Sequence, residues 1–317
     1  MSILEFERPI CELESKINEL RSFSSDKNIA LEPEIKKLTE KLEKMKREIY
    51  NNLTAWQRVQ IARHPDRPYT LDYIRLMTTD FVELHGDRQF ADDLALVAGF
   101  VQINGTKAMM IGHQKGRDTK ENVMRNFGCA HPEGYRKAMR LMQLAEKFRL
   151  PIVILIDTPG AYPGVGAEER GQAQAIAENL RDMVQLKTPI VAAIIGEGGS
   201  GGALGVGVAD RVCILQHAYY SVISPEGCAS ILWRNAVKAP QAAEALKITA
   251  EHLLKFGIVD EIVPEPLGGA HQDPLKMAAT LKAVILKYIK ELSILSQEEL
   301  LTQRYNKFRK IGEYVEA

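Results

Sequence analysis

The sequence has few cysteines and no long apolar run, and each absence excludes a class of protein. The four cysteines, Cys11, Cys129, Cys213 and Cys228, lie far apart and form no C-x-x-C pair. Neither a zinc ribbon nor a disulfide framework is therefore predicted. No stretch approaches the roughly 18 apolar residues of a membrane-spanning helix, and residues 1–16 lack the apolar core of a signal peptide. We therefore expect a reduced, cytoplasmic protein without a membrane segment.

Net charge is also absent. The 41 basic and 41 acidic side chains cancel, which removes the broad positive field of a nucleic-acid-binding protein and the polybasic signal of a membrane-surface protein. Any site for a charged ligand must therefore be local. With 45% hydrophobic and 26% charged residues among 317, the composition is that of an ordinary globular protein. The length fits one large domain that carries an additional element.

Apolar residues within the first 60 positions recur at steps of three and four, which predicts two amphipathic helices. The polar residues 22–26 separate the two patterns, and Pro33 stands where the second helix would begin. Two X-Pro steps within residues 63–68 predict a boundary near residue 65. We expect residues 1–65 to form a helical hairpin that docks on a partner or on the main body, and residues 66–317 to form the main domain.

The main domain shows the pattern of a layered α/β protein. Residues 94–113 predict a β-hairpin around Asn104 and Gly105. After a basic loop and a helix at 132–148, a strand, a glycine loop and a helix follow one another twice, and the glycine loops are residues 157–166 and 196–202. Buried apolar strands that alternate with helices favour a parallel sheet. Further strands are predicted at 212–215 and 219–223, and the remainder is predicted to be largely helical.

The second glycine loop matches several short motifs at once. Residues 196–201 fit G-x-G-x-x-G, but the next strand ends at Gln216 and His217 rather than at the acidic residue that a dinucleotide site requires. Residues 198–202 fit the G-x-S-x-G elbow of hydrolases. The triad could be completed by His217, His252 or His271 with Asp210 or Asp260. The D-x-x-G at 157–160 lacks the phosphate-binding loop that GTPases need.

All these motifs share one physical property. Consecutive glycines at a strand-to-helix turn let backbone N–H groups approach an anion closely. Such a turn can form an oxyanion hole, which stabilises negative charge that develops on a carbonyl oxygen. The alternative is that the glycines only permit close packing of strand and helix.

Longer segments are specific enough to indicate a family. Residues 157–171 read DTPGAYPGVGAEERG, residues 196–204 read GEGGSGGAL, and residues 221–233 read SVISPEGCASILW. RHP at 63–65, HQKG at 113–116 and EPLGGAH at 265–271 accompany them. With these segments the chain resembles the carboxyltransferase α subunits of bacterial-type acetyl-CoA carboxylases over essentially its whole length.

The resemblance implies a fold, a reaction and partners. The fold would be α/β, a crotonase-like spiral of ββα units with an N-terminal helical hairpin and C-terminal helices. The reaction would move a carboxyl group from carboxybiotin, tethered to a biotin carboxyl carrier protein, to acetyl-CoA, and so give malonyl-CoA for fatty acid synthesis. A β subunit that carries a zinc ribbon would complete an α2β2 heterotetramer, within an ATP-binding complex that includes biotin carboxylase. No metal is expected in this chain.

The resemblance also implies roles for particular residues. The backbone N–H groups of Gly201 and Gly202 would hold the ureido oxygen of biotin, with Gly198 and Gly199 shaping the approach and Ala203 as another possible donor. The biotin pocket would be completed by Gly160, Tyr162, Gly164 and Gly166. In the basic loop, Lys115 and Arg117 could bind the phosphates of coenzyme A, face solvent or meet the β subunit.

Two other functions stay open at this stage. A crotonase-type acyl-CoA hydratase or isomerase would need an acid or base, for which Glu168, Glu169, Glu197 and Glu226 are available. A non-catalytic scaffold that only binds a partner would have no need for the two glycine loops.

Overall fold

The computed structural model describes residues 4–27 and 31–312. The strands are β1 (Thr79–Glu83), β2 (Leu96–Ile103), β3 (Thr106–His113), β4 (Ile152–Thr158), β5 (Ile190–Gly199), β6 (Arg211–Leu215), β7 (Tyr219–Ser221) and β8 (Glu261–Val263). The helices are α1 (Arg8–Lys27), α2 (Glu32–Asn51), α3 (Ala55–Ala62), α4 (Thr70–Met77), α5 (Thr119–Met124), α6 (Pro132–Lys147), α7 (Val165–Glu169), α8 (Gln172–Met183), α9 (Ser200–Leu204), α10 (Pro225–Trp233), α11 (Ala239–Leu246), α12 (Ala250–Lys255), α13 (Pro274–Ser293) and α14 (Gln297–Arg309).

Within the described residues the strands form one mixed sheet. Its order is β1-β2-β3-β4-β5-β6-β8, and β7 lies beside β5. The first three strands are antiparallel, and from β3 onward the neighbours are parallel. The predicted hairpin is confirmed, with Asn104 and Gly105 at φ of 47° and 83° between β2 and β3, as a two-residue hairpin turn requires. Strands β1 and β8 were not predicted from the sequence.

Strand β5 is a central strand of the sheet, with neighbours on both sides, and all ten of its residues are buried. On one side it pairs with β4, and on the other with β6 at residues 191–194 and with β7 at residues 197–199. The prediction that residues 196–202 form a loop after this strand was wrong for residues 196–199, which continue the strand. Gly198 and Gly199 lack side chains, so neighbouring backbones can close on them from both sides and the strand continues through them.

The predicted N-terminal hairpin is confirmed, but its first helix is longer than expected. Helices α1 and α2 enclose a small core of their own, separate from that of the sheet. Residues 22–26 were predicted to separate the helices, yet α1 continues to Lys27. The Ser22 hydroxyl donates a hydrogen bond to the Glu19 carbonyl at 2.8 Å, so this polar side chain bonds within the helix instead of ending it.

Helix α14 closes the end of the sheet at which β5 begins. The Arg304 guanidinium bonds both carboxylate oxygens of Asp210 at 2.8 Å, and its remaining N–H groups reach the carbonyls of residues 183, 186 and 188. Asp210 in turn accepts the N–H of Ile190, the first residue of β5, at 2.7 Å. This buried ion pair therefore fixes the amino end of the central strand. In the part of the chain that the structure describes, no helix is long and apolar enough to cross a membrane.

Replacing Arg304 by methionine should destabilise the protein strongly. The change leaves Asp210 as a buried charge without its cation, which costs about 3–5 kcal/mol in free energy of unfolding. Urea denaturation of the two proteins measures the loss. Arg309→Met is the matched control, because Arg309 is exposed on the same helix and surface changes stay within about 0.5 kcal/mol. Equal effects of the two variants would contradict the role assigned to Arg304.

Candidate active site

The end of β5 turns sharply into a short helix. Ser200, the first residue of α9, has a φ of 50°, which is the left-handed region that side chains other than glycine rarely occupy. In helix geometry the N–H groups of the first three residues, here Ser200, Gly201 and Gly202, have no acceptor within the helix. The N–H of Ala203 is the first that can bond back, to the carbonyl of Gly199. The turn therefore offers Gly201 and Gly202 as donors in preference to Ala203.

The two glycine-rich segments touch each other instead of facing each other across a gap. A Cβ atom on Gly202 would lie 2.5 Å from the backbone nitrogen of Ala161 and would clash with the carbonyl carbon of Gly160. A Cβ on Gly199 would lie 2.8 Å from the carbonyl oxygen of Thr158. Such distances are too short for any side chain, so only glycine permits this backbone-to-backbone contact. The two segments form one continuous surface.

A cavity of about 310 Å³ opens beside Gly201. Its wall is mostly apolar, and its volume lies at the lower end of the range for small-molecule sites. The lining residues are Ser200, Gly201, Leu204, Tyr220, Ser221, Val222, Leu253, Ile258 and Ile311. The turn therefore borders, at Ser200 and Gly201, a cavity suited to an uncharged ring.

The remainder of the first glycine loop is held in place by a different set of contacts. The Tyr162 ring stacks on His131 with centroids 4.1 Å apart, and the Tyr162 N–H donates to the Ala130 carbonyl at 3.0 Å. Gly164 packs against the Tyr162 ring, and the nearest atom to a Cβ on Gly166 would be a guanidinium nitrogen of Arg170. Tyr162, Gly164 and Gly166 do not line the cavity beside Gly201. Of the predicted loop, the structure brings only Gly160 and its neighbours to the Gly202 turn.

A set of buried charges lies directly behind the turn. The Lys115 ammonium contacts Asp157 Oδ1 at 2.7 Å and Glu197 Oε1 at 2.9 Å. The other oxygen of Glu197 accepts hydrogen bonds from Arg63 Nε at 2.8 Å and from the Tyr219 hydroxyl at 2.6 Å. Burial opposes ionisation of Glu197, but the Lys115 and Arg63 charges outweigh it and lower its pKa to about 2. We call Arg63, Lys115, Asp157 and Glu197 the buried ion cluster.

The two residues predicted for coenzyme A phosphates already have partners within the chain. Only 12% of the Lys115 side chain is exposed, and its charge is balanced by two carboxylates. The Arg117 guanidinium donates to the carbonyls of Pro65 and Arg67, pairs with Asp72 and stacks over the Tyr69 ring. Phosphate binding by Lys115 and Arg117 stays an untested prediction, and these contacts lend it no support.

Sequence reasoning did not find the buried ion cluster. Its members come from positions 63, 115, 157 and 197, which are too far apart to form a local pattern. The available signal was that each lies within or beside a segment that carries the family resemblance. In those segments the glycines form a pattern that is visible in the sequence, whereas the charged residues meet only in the fold.

The residues of a serine hydrolase triad do not come together. Asp210 is paired with Arg304, and Asp260 is paired with Lys307. His252 bonds the Thr249 hydroxyl, and His271 stacks on His64. Among the described residues, Ser200 has neither an imidazole nor a carboxylate within hydrogen-bond distance, so this reading lacks support.

The carboxylates suggested for a hydratase are also unsuited to acid–base chemistry. Glu197 stays ionised because its pKa is about 2, and Glu226 is held by the Arg63 guanidinium at 2.5 Å. Glu168 and Glu169 are exposed on α7, and neither lines the cavity beside Gly201. A general acid or base has to be poised near the operating pH and within reach of the substrate.

Comparison with solved structures defines the class of fold. The chain is similar to a Pseudomonas malonate decarboxylase heterotetramer in complex with coenzyme A, with a TM-score of 0.59 and 14% identity over 75% of this chain and 94% of that one. It is similar to transcarboxylase 12S, with a TM-score of 0.54 and 22% identity over 68% of this chain and 41% of that one. The predicted crotonase-like α/β fold is thereby confirmed.

Comparison with sequences defines the family within this class. A family model described as acetyl co-enzyme A carboxylase carboxyltransferase-like matches residues 3–312. The acetyl-coenzyme A carboxylase carboxyl transferase subunit alpha of Geobacter metallireducens is 58% identical over 99% of this chain and 98% of that protein. Its counterpart in Methylococcus capsulatus is 58% identical over 100% and 98%.

The chain therefore belongs to the acetyl-CoA carboxylase carboxyltransferase α-subunit family. The predicted enzyme class, a carboxyltransferase subunit, is confirmed, and the hydratase alternative gains no support.

Two alanine substitutions in the turn should differ sharply. In Gly202→Ala the new Cβ meets fixed backbone of residues 160 and 161, and such overpacking costs about 1–3 kcal/mol in free energy of unfolding. In Gly201→Ala the nearest atom is Ile176 Cδ1 at 3.6 Å, an ordinary contact. We expect Gly201→Ala to match or slightly exceed the wild type in urea denaturation, because alanine favours helix. Equal stabilities of the two variants would rule out the close contact at Gly202.

The charge of Glu197 should contribute stability that depends on pH. Its pKa is lowered from 4.5 to about 2 by folding, so the contribution is fully present above pH 4.5 and is lost as the pH falls from 4.5 towards 2. Urea denaturation of wild type and Glu197→Gln at pH 7, and at about pH 5 and pH 3.5, tests this. The advantage of the wild type should shrink at the lowest pH. A constant difference would contradict the lowered pKa.

Proposed function

We propose that this chain, together with a separate β subunit, transfers a carboxyl group from carboxybiotin to acetyl-CoA and thereby forms malonyl-CoA. The biotin is carried by a biotin carboxyl carrier protein, and biotin carboxylase recharges it elsewhere in the complex. The observation that carries the proposal is the glycine turn at the end of β5, with donors at Gly201 and Gly202 beside an apolar cavity, in a chain of this family.

The chain's main contribution is to hold negative charge. Bound carboxybiotin supplies the carboxyl group and, once this group is lost, a base for the methyl proton of acetyl-CoA. The N–H groups of Gly201 and Gly202 would donate to the ureido oxygen, where negative charge develops. One such preorganised donor contributes roughly 3–4 kcal/mol to transition-state stabilisation. No side-chain nucleophile takes part.

The neighbouring residues have supporting roles in this proposal. Gly198 and Gly199 let β7 and residues 158–160 approach closely enough to hold the turn. Ala203 fills the first intrahelical hydrogen-bonding position and leaves the donor role to the two glycines. The apolar cavity beside Gly201 receives the uncharged biotin ring, and its lining fits such a group. Of the loop predicted to complete the biotin pocket, Gly160 reaches the turn, whereas Tyr162, Gly164 and Gly166 do not line the cavity, so their role in biotin binding stays an untested prediction.

The β subunit would complete the site. It would supply the donors for the thioester oxygen and carry the zinc ribbon of the α2β2 heterotetramer. Among the described residues no cluster of His, Cys, Asp and Glu is arranged to hold a metal ion. Since Lys115 and Arg117 already have partners within the chain, coenzyme A phosphates are better sought on exposed Lys120 or on the β subunit.

Residues 1–65 would form the docking segment for a partner, and residues 66–317 the carboxyltransferase domain. The separate small core of α1 and α2 supports a distinct role for this hairpin. The complex would act in the cytoplasm, which fits four cysteines that are all unpaired.

Carboxyl transfer from malonyl-CoA to biocytin, a free biotin derivative, tests the function in the reverse direction. We expect acetyl-CoA to form when this chain is mixed with the β subunit, and not with either chain alone. Gly201→Pro removes one N–H donor where a side chain has room, so activity should fall about 100-fold. Gly202→Pro is less suitable, because its ring would clash with residue 160.

Gly201→Ala is the matched control, since it keeps the N–H and should retain near wild-type activity. Size-exclusion chromatography checks that each variant still assembles with the β subunit. An assembled wild-type complex without activity would refute the carboxyltransferase proposal. Full activity of assembled Gly201→Pro would refute the donor role alone.

A further inference from the structure

The pairing of β4 with β5 is irregular at the point where the buried ion cluster lies. Ile156 is opposite Ile194, but two residues later Thr158 is opposite Gly198. Strand β5 therefore gains two residues on β4 between these positions, which is the signature of a bulge. The residues that take up this difference are 195–197. The two additional residues of β5 therefore determine where the glycine turn lies relative to residues 158–160.

Asp157 bridges the two strands across this irregularity. Its Oδ1 atom accepts the backbone N–H of Glu197 at 2.9 Å and the Lys115 ammonium at 2.7 Å. A Cβ on Gly196 would lie 2.5 Å from the same oxygen, so glycine is needed there to admit the carboxylate. The bulge takes the Glu197 N–H out of the regular strand pairing, and the Asp157 carboxylate accepts its hydrogen bond instead.

The other members of the buried ion cluster fix the outer side of the bulge. Glu197 is bonded by Lys115, Arg63 and Tyr219, which leaves neither carboxylate oxygen without a donor. Arg63 follows directly after α3, and it also bonds Glu226 at the start of α10. The bulge is therefore tied to the segment after β3, to β4, to the end of α3 and to β7, and through Arg63 to the start of α10.

A buried ion cluster is poor evidence of stability, because apolar side chains of similar volume often stabilise as much or more. Its better-attested use is to select one register among several, since a slipped register would leave buried charges unpaired. Here two cations and two carboxylates would lose their partners if β5 slid back into regular pairing with β4. The turn would then move relative to residues 160 and 161.

From this arrangement we infer that Lys115, Asp157 and Glu197 are positioning residues that set the place of the Gly201 and Gly202 N–H groups. The inference rests on the carboxyl transfer proposed above and adds a cause for the placement of its donors. None of the three residues lines the cavity beside Gly201, so they act through the backbone. Misplacement of reacting groups by about 1 Å can cost about 100-fold in rate.

Lys115→Met in the assembled complex with the β subunit tests the inference. We expect kcat for transfer from malonyl-CoA to biocytin to fall about 10- to 100-fold, with KM for malonyl-CoA changed less than about twofold. Arg304→Met is the matched control, because it breaks a buried ion pair at the opposite end of β5. It should lower the melting temperature but leave kcat of the folded complex within about twofold.

Glu197→Gln and Asp157→Asn keep the size of the side chain and serve if Lys115→Met does not fold. Each should lower kcat in the same way. The double variant Lys115→Met with Glu197→Gln should have a kcat little lower than that of the worse single variant, since both changes break the same Lys115–Glu197 ion pair. Unchanged kcat in folded Glu197→Gln and Asp157→Asn would overturn the inference. An inactive wild-type complex would instead refute the proposed function, so the two failures are distinguishable.

Discussion

The close contact between residues 199–202 and residues 158–161 is the constraint on which the site depends. Two backbones meet there at a distance that excludes even a methyl group, as the 2.5 Å from a Cβ on Gly202 to the Ala161 nitrogen shows. The contact fixes the direction in which β5 leaves the sheet. It also explains why glycine stands at position 199, where the sheet itself would accept a larger residue, since Gly199 pairs as a strand residue with β7.

The central strand is held by charge at both ends. At its start Arg304 and Asp210 secure Ile190, and near its end Lys115 and Asp157 secure Glu197. Between them the strand is apolar and buried. Hydrophobic burial is not directional, so it cannot by itself decide where along its axis a strand comes to rest. Hydrogen-bonded charges can do so locally, because their partners are fixed within a few tenths of an ångström. The Arg304–Asp210 pair holds the start of β5, and the buried ion cluster holds its end beyond the bulge.

Periodicity and turn chemistry predicted most of the fold, because these signals are local. The hairpin at Asn104 and Gly105, the parallel strands and the long amphipathic helices follow from a few neighbouring residues each. The errors lie where a distant contact overrides the local signal. Glycines 198 and 199 read as a loop but pair as strand, since β7 and residues 158–160 reach them from elsewhere. The buried ion cluster could not be predicted for the same reason, because its members come from four distant positions in the sequence.

The glycine turn could be predicted from the sequence, whereas its geometry could not. A run of glycines predicts a close approach of the backbone to another group, but it does not identify that group. The structure supplies two partners for this run: residues 158–161 on one side and the cavity beside Gly201 on the other. Gly202 packs against residues 160 and 161, and Gly201 borders the cavity. Under the proposed function one glycine run would therefore serve packing and ligand approach together, so close packing and a catalytic role of this segment are not alternatives.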